Sequence, residues 1–260
     1  MSEDPGAQKI AALNIAILRS RGIELSPDAM ILDYGCGSGR FAYQHLDLGF
    51  ENTFGYDVAN YLALRRPEDI AHFRFDPSAG PADSFPPMTE VPWPDDTFDF
   101  VFATSVFEHV RDQELGYREI RRVLKPGGAF LNVFPSKWRL IEPHMFVPFG
   151  GVIRLKSWYR LWAALGIRNG FQQGFSAART AAENHRFSRE GFNYPGGAEI
   201  ARMMDAIFGE WEYVEDAFVQ NSPGRSRHIA GAMRAFPPLR NLFRFAHMRV
   251  ILARKAKVDT

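Results

Sequence analysis

One segment limits the fold more than any other. A short apolar run, Met30-Ile31-Leu32, stops at Asp33-Tyr34-Gly35-Cys36-Gly37-Ser38-Gly39, and a helical pattern follows from Arg40 to Leu48. Strand, alternating glycines, then helix makes a tight turn whose backbone admits a ligand, with free N–H groups at the helix start favouring an anion. A second short strand, Thr53-Phe54-Gly55-Tyr56, ends at Asp57, an acid placed to accept both hydroxyls of a ribose. A strand-end turn or helix cap is the plain alternative for Asp57.

The rest of the first half repeats the alternation. Residues 8–19 read as an amphipathic helix, Phe73-Arg74-Phe75 as a third strand, and Phe98 to Ala103 as a buried strand. Arg111 to Leu124 reads as a helix stopped by Lys125-Pro126-Gly127-Gly128, and Ala129 to Phe134 as the next strand. Residues 76–97 read as a long loop. Strands alternating with helices predict an α/β fold with a doubly wound, mostly parallel sheet. After Pro135 the regularity breaks. Residues 136–195 hold many aromatic residues and no clean strand, and read as a helical or irregular insertion. Ala198 to Phe208 returns to helix, Trp211 to Phe218 to strand, Ile229 to Phe245 to a helix broken at Pro237-Pro238, and Arg249 to Arg254 to a last strand.

The glycine spacing discriminates among nucleotides. A nicotinamide or flavin fingerprint, G-x-G-x-x-G, would need glycine where Arg40 stands, and no G-x-x-x-x-G-K-[ST] phosphate loop occurs. A pyrophosphate therefore lacks a cradle. A ligand with a ribose and an amino-acid end fits better, its carboxylate on the loop N–H groups and Asp33 facing its ammonium.

These residues resemble class I S-adenosylmethionine-dependent methyltransferases of the type 11 kind. Ile31 to Gly39 is similar to that family's first motif, and Asp57 to the acid ending its second strand. Val91-Pro92-Trp93-Pro94-Asp95-Asp96-Thr97-Phe98-Asp99-Phe100-Val101 resembles its "LPFpDxsFDxV" segment. Glu108-His109-Val110 and the run from Arg118 to Gly128 resemble the two segments that follow. Residues 186–218 and 248–255 resemble the closing helix and terminal strands. The Asp-Ala pair expected before "LPF" is Pro87-Met88 here.

The resemblance implies a single Rossmann-like domain over 1–260 with an antiparallel last strand. Residues 28–136 would be the cofactor half, 136–195 a substrate-covering insertion, and 196–260 the closing helix and strands. It places the methionine end of S-adenosyl-L-methionine at Asp33, Gly35 and Gly37, its ribose at Asp57, its adenine near Val58, and Ser105 on the same edge. The implied reaction is methyl transfer to a small molecule, at an oxygen of a sugar, glycan precursor or lipid-linked intermediate. An RNA or protein methyltransferase is one alternative, disfavoured by Thr104-Ser105-Val106-Phe107 in place of an Asn-Pro-Pro-Tyr-like tetrapeptide. A non-catalytic cofactor-binding module of the same fold is the other.

Deprotonating a hydroxyl needs a base. His109, just past the fourth strand, and His144, within Glu142-Pro143-His144 of the insertion, are the candidates, with His185 a third. Glu108 reads as structural, paired with a neighbouring helix. No histidine pair shows metal-ligand spacing, so no catalytic metal is expected.

Composition sets the remaining bounds. With 46% hydrophobic and 23% charged residues the chain is an ordinary globular one. Thirty-one basic against 30 acidic residues give +1, which argues against a dedicated nucleic-acid binder. No run approaches the roughly 20 apolar residues of a membrane span, and Met1-Ser2-Glu3-Asp4-Pro5 lacks the base of a signal peptide. The lone Cys36 excludes an internal disulfide and suits a reducing cytoplasm. From Arg225 to Lys257 basic residues run without an acid, which suggests peripheral contact with an anionic surface beside the plainer reading of a solvated face.

Overall fold

Seven strands lie side by side in the order β3-β2-β1-β4-β5-β7-β6. They are β1 (Ile31–Tyr34), β2 (Thr53–Asp57), β3 (Phe73–Phe75), β4 (Phe98–Thr104), β5 (Leu124–Pro135), β6 (Glu210–Tyr213) and β7 (Met248–Arg254). The computed structural model describes residues 9–76, 90–222 and 227–257. Strands β1 to β5 pair in parallel, while β7 runs antiparallel to both β5 and β6. Strand order reverses between β1 and β4, and such a switch point opens a crevice beyond the carboxyl ends of the strands.

Both faces of the sheet are covered, so its central strands are buried along most of their length rather than on alternate residues. Phe98, Val101 and Phe130 pack on one face with Tyr117 and Ile120 of α3 (Gln113–Val123) and Ile200 and Met204 of α6 (Gly197–Ile207). Phe100, Phe102 and Leu131 pack on the other with Leu13 and Ile17 of α1 (Lys9–Arg19). Helix α2 (Arg40–Asp47) links β1 to β2.

The insertion contains α4 (Lys156–Ala164) and α5 (Ala177–Glu190). Its aromatic residues build a small core of their own, in which Tyr159, Phe192 and Tyr194 are buried and Trp158, Trp162 and Phe187 pack against them. Among the described residues its nearest approach to a strand is one isolated bridge, Ile141 to Pro148.

Two boundaries differ from the sequence expectation. Helix α3 ends at Val123 and β5 begins at once at Leu124, so Lys125 to Gly128 lies inside the strand. A register shift between Phe98 and Phe100 and the positive φ of Gly127 absorb the irregularity. The strand expected over Trp211 to Phe218 ends at Tyr213, and Glu215–Asn221 is helix α7. Glu215 and Asp216 in its first turn suit the positive end of a helix dipole. The helix broken by the proline pair forms as expected, as α8 (Arg227–Ala235) and α9 (Pro237–Ala246).

Four residues of the basic run from Arg225 are engaged within the fold. Arg244 pairs with Glu215, Arg249 donates to the Pro195 carbonyl, Lys255 pairs with Asp96, and Arg254 donates to the Arg21 carbonyl. Arg225 itself, like Pro87-Met88 and most of the long loop, lies outside the described residues. Among the described residues no helix is long and apolar enough to cross a membrane.

Candidate functional site

The loop after β1 is fixed by hydrogen bonds to β2. The N–H groups of Gly35 and Cys36 donate to the Tyr56 carbonyl at 2.8 and 3.0 Å. Gly37 N–H donates to Asp57 Oδ2 at 2.7 Å, and Ala59 N–H to Asp57 Oδ1 at 3.3 Å. Two glycines serve different ends. At Gly35, with φ of +77°, a Cβ would collide with the Val106 side chain. At Gly37, with φ of +51°, a Cβ would meet nothing within 4 Å, so space stays open over the loop. Burial pushes the Asp57 carboxyl above its usual range, although the N–H groups of Gly37, Ala59 and Val58 oppose that shift.

Strand β4 delivers the opposite wall. Ser105 turns the chain with a left-handed φ of 57°, and its N–H is held by the Val133 carbonyl at 2.8 Å. A non-glycine residue in that region is strained, and such strain collects at functional turns. Phe107 then stacks flat on Tyr117, ring centroids 4.2 Å apart, which anchors the short turn carrying Glu108 and His109.

The fold brings His109 and His144 together from 35 residues apart, Nε2 to Nε2 at 3.1 Å. Each ring is held from behind. His109 Nδ1 donates to the Gly191 carbonyl at 2.6 Å. His144 Nδ1 donates to Glu142 Oε1 at 2.7 Å. Glu142 is itself fully engaged: Oε1 also accepts from the Tyr194 hydroxyl, and Oε2 accepts from the N–H groups of His144 and Met145. Burial and the neighbouring His144 lower the pKa of His109. Burial opposes protonation of His144 too, but its hydrogen bond and charge interaction with Glu142 win and raise its pKa.

Glu108 is fully buried beside this pair, and neither carboxylate oxygen has a hydrogen-bond partner among the described residues. The structural pairing expected for it is therefore absent there. Burial pushes its carboxyl up to about 7. The three donor groups of Glu108, His109 and His144 lie within 4.8 Å of one another.

A single cavity of about 970 Å³ joins these parts. Gly35, Asp57, Val58, Ser105, His109 and His144 all line it. Phe146, Phe171, Phe175 and Phe187 of the insertion form its far wall. Asp33 and Gly37 are not in the wall. Asp33 is 1% exposed and accepts from the Ala42 N–H at 3.1 Å, one layer behind Gly35, so it anchors helix α2 instead of facing the cavity. Burial raises its carboxyl to about 8. His185 does not line the cavity either. No local sequence signal marks Tyr194 or the Gly191 carbonyl, which reach the pair only through the folded insertion. The place of Glu108 directly before His109 was the one available hint of its role.

Residues 32–132 match the family model described as a methyltransferase domain. The sterol 24-C-methyltransferase ERG6B of Gibberella zeae is 30% identical over 115 residues, 43% of this chain and 29% of that protein. Sterol methyltransferase-like 3 of Botryococcus braunii is 29% identical over 233 residues, 83% of this chain and 59% of that protein. The chain thus spans less than two thirds of these curated relatives. An S-adenosylmethionine dependent methyltransferase from Mesorhizobium loti shares the fold, with a TM-score of 0.50 and 14% identity over 96% of this chain and 99% of that one.

Proposed function

We propose that this chain, which over residues 32–132 carries a class I S-adenosylmethionine-dependent methyltransferase domain, transfers a methyl group to a small molecule held in its cavity. The reactive atom in this reading is an oxygen of a sugar, glycan precursor or lipid-linked intermediate. The observation that carries it is one cavity with Gly35, Asp57 and Val58 on one side, the His109–His144 pair on another, and an aromatic insertion closing the third.

The residues fit the cofactor. Space is open over Gly37, and the Asp57 carboxylate, a pure acceptor when ionised, stands in the wall where ribose hydroxyls need one. S-adenosylmethionine, when bound, supplies an electrophilic methyl carbon on a sulfonium. Asp57 holds the ribose, Val58 flanks the adenine, and the loop around Gly35 bears the methionine end. The phenylalanine wall takes the apolar body of an acceptor, whose reacting hydroxyl stands against the histidine pair. Orientation of two bound reactants supplies much of the rate. The sterol methyltransferase names of two relatives agree with an apolar acceptor body.

Incubating the protein with methyl-labelled S-adenosylmethionine and fractionated cell extract tests the reading. Label is expected in a low-molecular-mass, organic-soluble fraction. Label in RNA or protein would overturn the acceptor class. Tight cofactor binding with no label in any fraction would favour a non-catalytic module.

A further inference from the structure

We infer that Glu108, His109 and His144 form a binding site for one divalent transition-metal ion of the zinc class, set in the cavity wall with a further ligand position open to the acceptor. This deepens the proposed function and rests on its placing the acceptor against the histidine pair.

The Gly191 carbonyl can only accept, so His109 Nδ1 carries the ring hydrogen and Nε2 of the neutral ring carries a lone pair. Glu142 accepts two backbone N–H bonds on Oε2, the mark of an ionised carboxylate, and its Oε1 accepts from His144 Nδ1. In the neutral ring the Nε2 of His144 is then a lone pair as well. Two acceptors face each other at 3.1 Å and cannot bond without a positive centre between them. A shared proton would satisfy the two rings but leave Glu108 buried with neither oxygen partnered among the described residues. Such an unpaired carboxylate is costly. A divalent cation satisfies all three groups, and the charges of Glu108 and Glu142 together balance it.

The dimensions agree. At metal–nitrogen bonds of about 2.0–2.1 Å, two tetrahedral ligands stand roughly 3.3 Å apart, close to the observed 3.1 Å. All three donors lie within 4.8 Å, so Glu108 needs to close by about half an ångström or more to reach a bond of about 2.0–2.2 Å. Two imidazoles and one carboxylate select zinc-, iron- or cobalt-like ions over magnesium or calcium, which prefer oxygen shells. The contacts behind each ring are those of a metal site: one Nδ1–H on a backbone carbonyl, the other on a carboxylate fixed by Tyr194. His109 comes from the turn after β4 and His144 from the insertion, which explains why sequence spacing predicts no metal. An ion there is a Lewis acid against which an acceptor hydroxyl becomes acidic.

The test uses the full chain without a histidine tag, stripped with chelator and titrated with Zn²⁺ alone and Co²⁺ alone. Bound metal is measured by elemental analysis after gel filtration, and Co²⁺ ligation by its visible absorption. One ion per chain is expected, with affinity falling at least tenfold in Glu108→Gln, His109→Ala and His144→Ala. Glu142→Gln, which loosens the hold on His144 and removes a balancing charge, should weaken binding roughly 10–100-fold. Failure of the wild-type chain to retain either ion, or retention unchanged in all four variants, would overturn the site and leave a shared proton between the rings. Calorimetry with S-adenosylmethionine on the same stripped protein separates the two readings. Cofactor binding without metal binding sinks only the metal site, and the reverse sinks only the methyltransferase reading.

Discussion

Gly37 donates its N–H to Asp57 Oδ2 at 2.7 Å, so the acid that ends β2 also fastens the loop that follows β1. The two parts that a nucleoside ligand must touch, a bare backbone and a carboxylate, are thereby held at one fixed separation. Asp57 keeps further lone pairs for the cavity, since a carboxylate offers about four acceptor sites.

Asp57 variants should separate these duties. Asp57→Ala removes the loop anchor and, in the proposed reading, the ribose acceptor together. Hydrogen bonds to a charged group are worth about 1.5–3 kcal/mol, so S-adenosylmethionine affinity should fall at least tenfold. Asp57→Asn keeps one acceptor for Gly37 and should lose affinity while retaining thermal stability. Calorimetry showing wild-type affinity for Asp57→Ala would remove Asp57 from the cofactor site.

The two loop glycines should respond unequally. Gly35→Ala drives a methyl group into Val106 and adds left-handed strain, so both the loop and the turn after β4 must shift. Gly37→Ala adds only the strain, about 1–2 kcal/mol for a side chain in the left-handed region. Urea denaturation should therefore show the larger loss in Gly35→Ala. Equal losses would mean that Val106 yields freely.

The glycine loop and the strand-ending acid were legible because each of their signals is local. An apolar run, a glycine-rich turn and a strand-ending acid are read within a few residues, and the structure lines the cavity with Gly35, Asp57, Val58 and Ser105. Asp33 shows where locality fails: the sequence places it beside the loop, but its side chain turns under the loop to the Ala42 N–H. Val214, Ala217 and Val219 are buried in a short stretch that suits a strand or a helix, and periodicity alone could not choose. The His109–His144 contact joins a strand-end turn to an irregular insertion, and nothing in either segment announces the other.

The closing helices should depend on one ion pair. Arg244 makes a two-pronged bridge to Glu215, at 2.8 and 2.9 Å, and the Glu215 side chain is fully buried. Breaking such a pair leaves an uncompensated buried charge and costs about 3–5 kcal/mol. Arg244→Met should show a loss of that order in urea, and Arg244→Met with Glu215→Leu should recover most of it. A loss under about 1 kcal/mol in the single variant, the range of exposed pairs, would show that α9 is held by other contacts.

His45 should make stability fall on mild acidification. It lies fully buried on α2, stacked on Phe102 with ring centroids 4.6 Å apart, and its Nδ1 donates to the Phe41 carbonyl at 2.9 Å. Burial lowers its pKa to about 4, against an unfolded value near 6.5. Below pH about 6.5 the unfolded chain therefore gains a proton that the native chain refuses. Stability contributed by the neutral ring is complete above that pH and drains away as pH falls towards 4, by up to roughly 3 kcal/mol. Carboxylates also titrate there, so the measurement is a difference of differences. Unfolding free energies at pH 7 and pH 4.5 should diverge more in the wild-type chain than in His45→Phe, whose ring fills the same apolar space without titrating. An identical pH dependence in the two proteins would show that His45 meets water or a proton acceptor in the folded state.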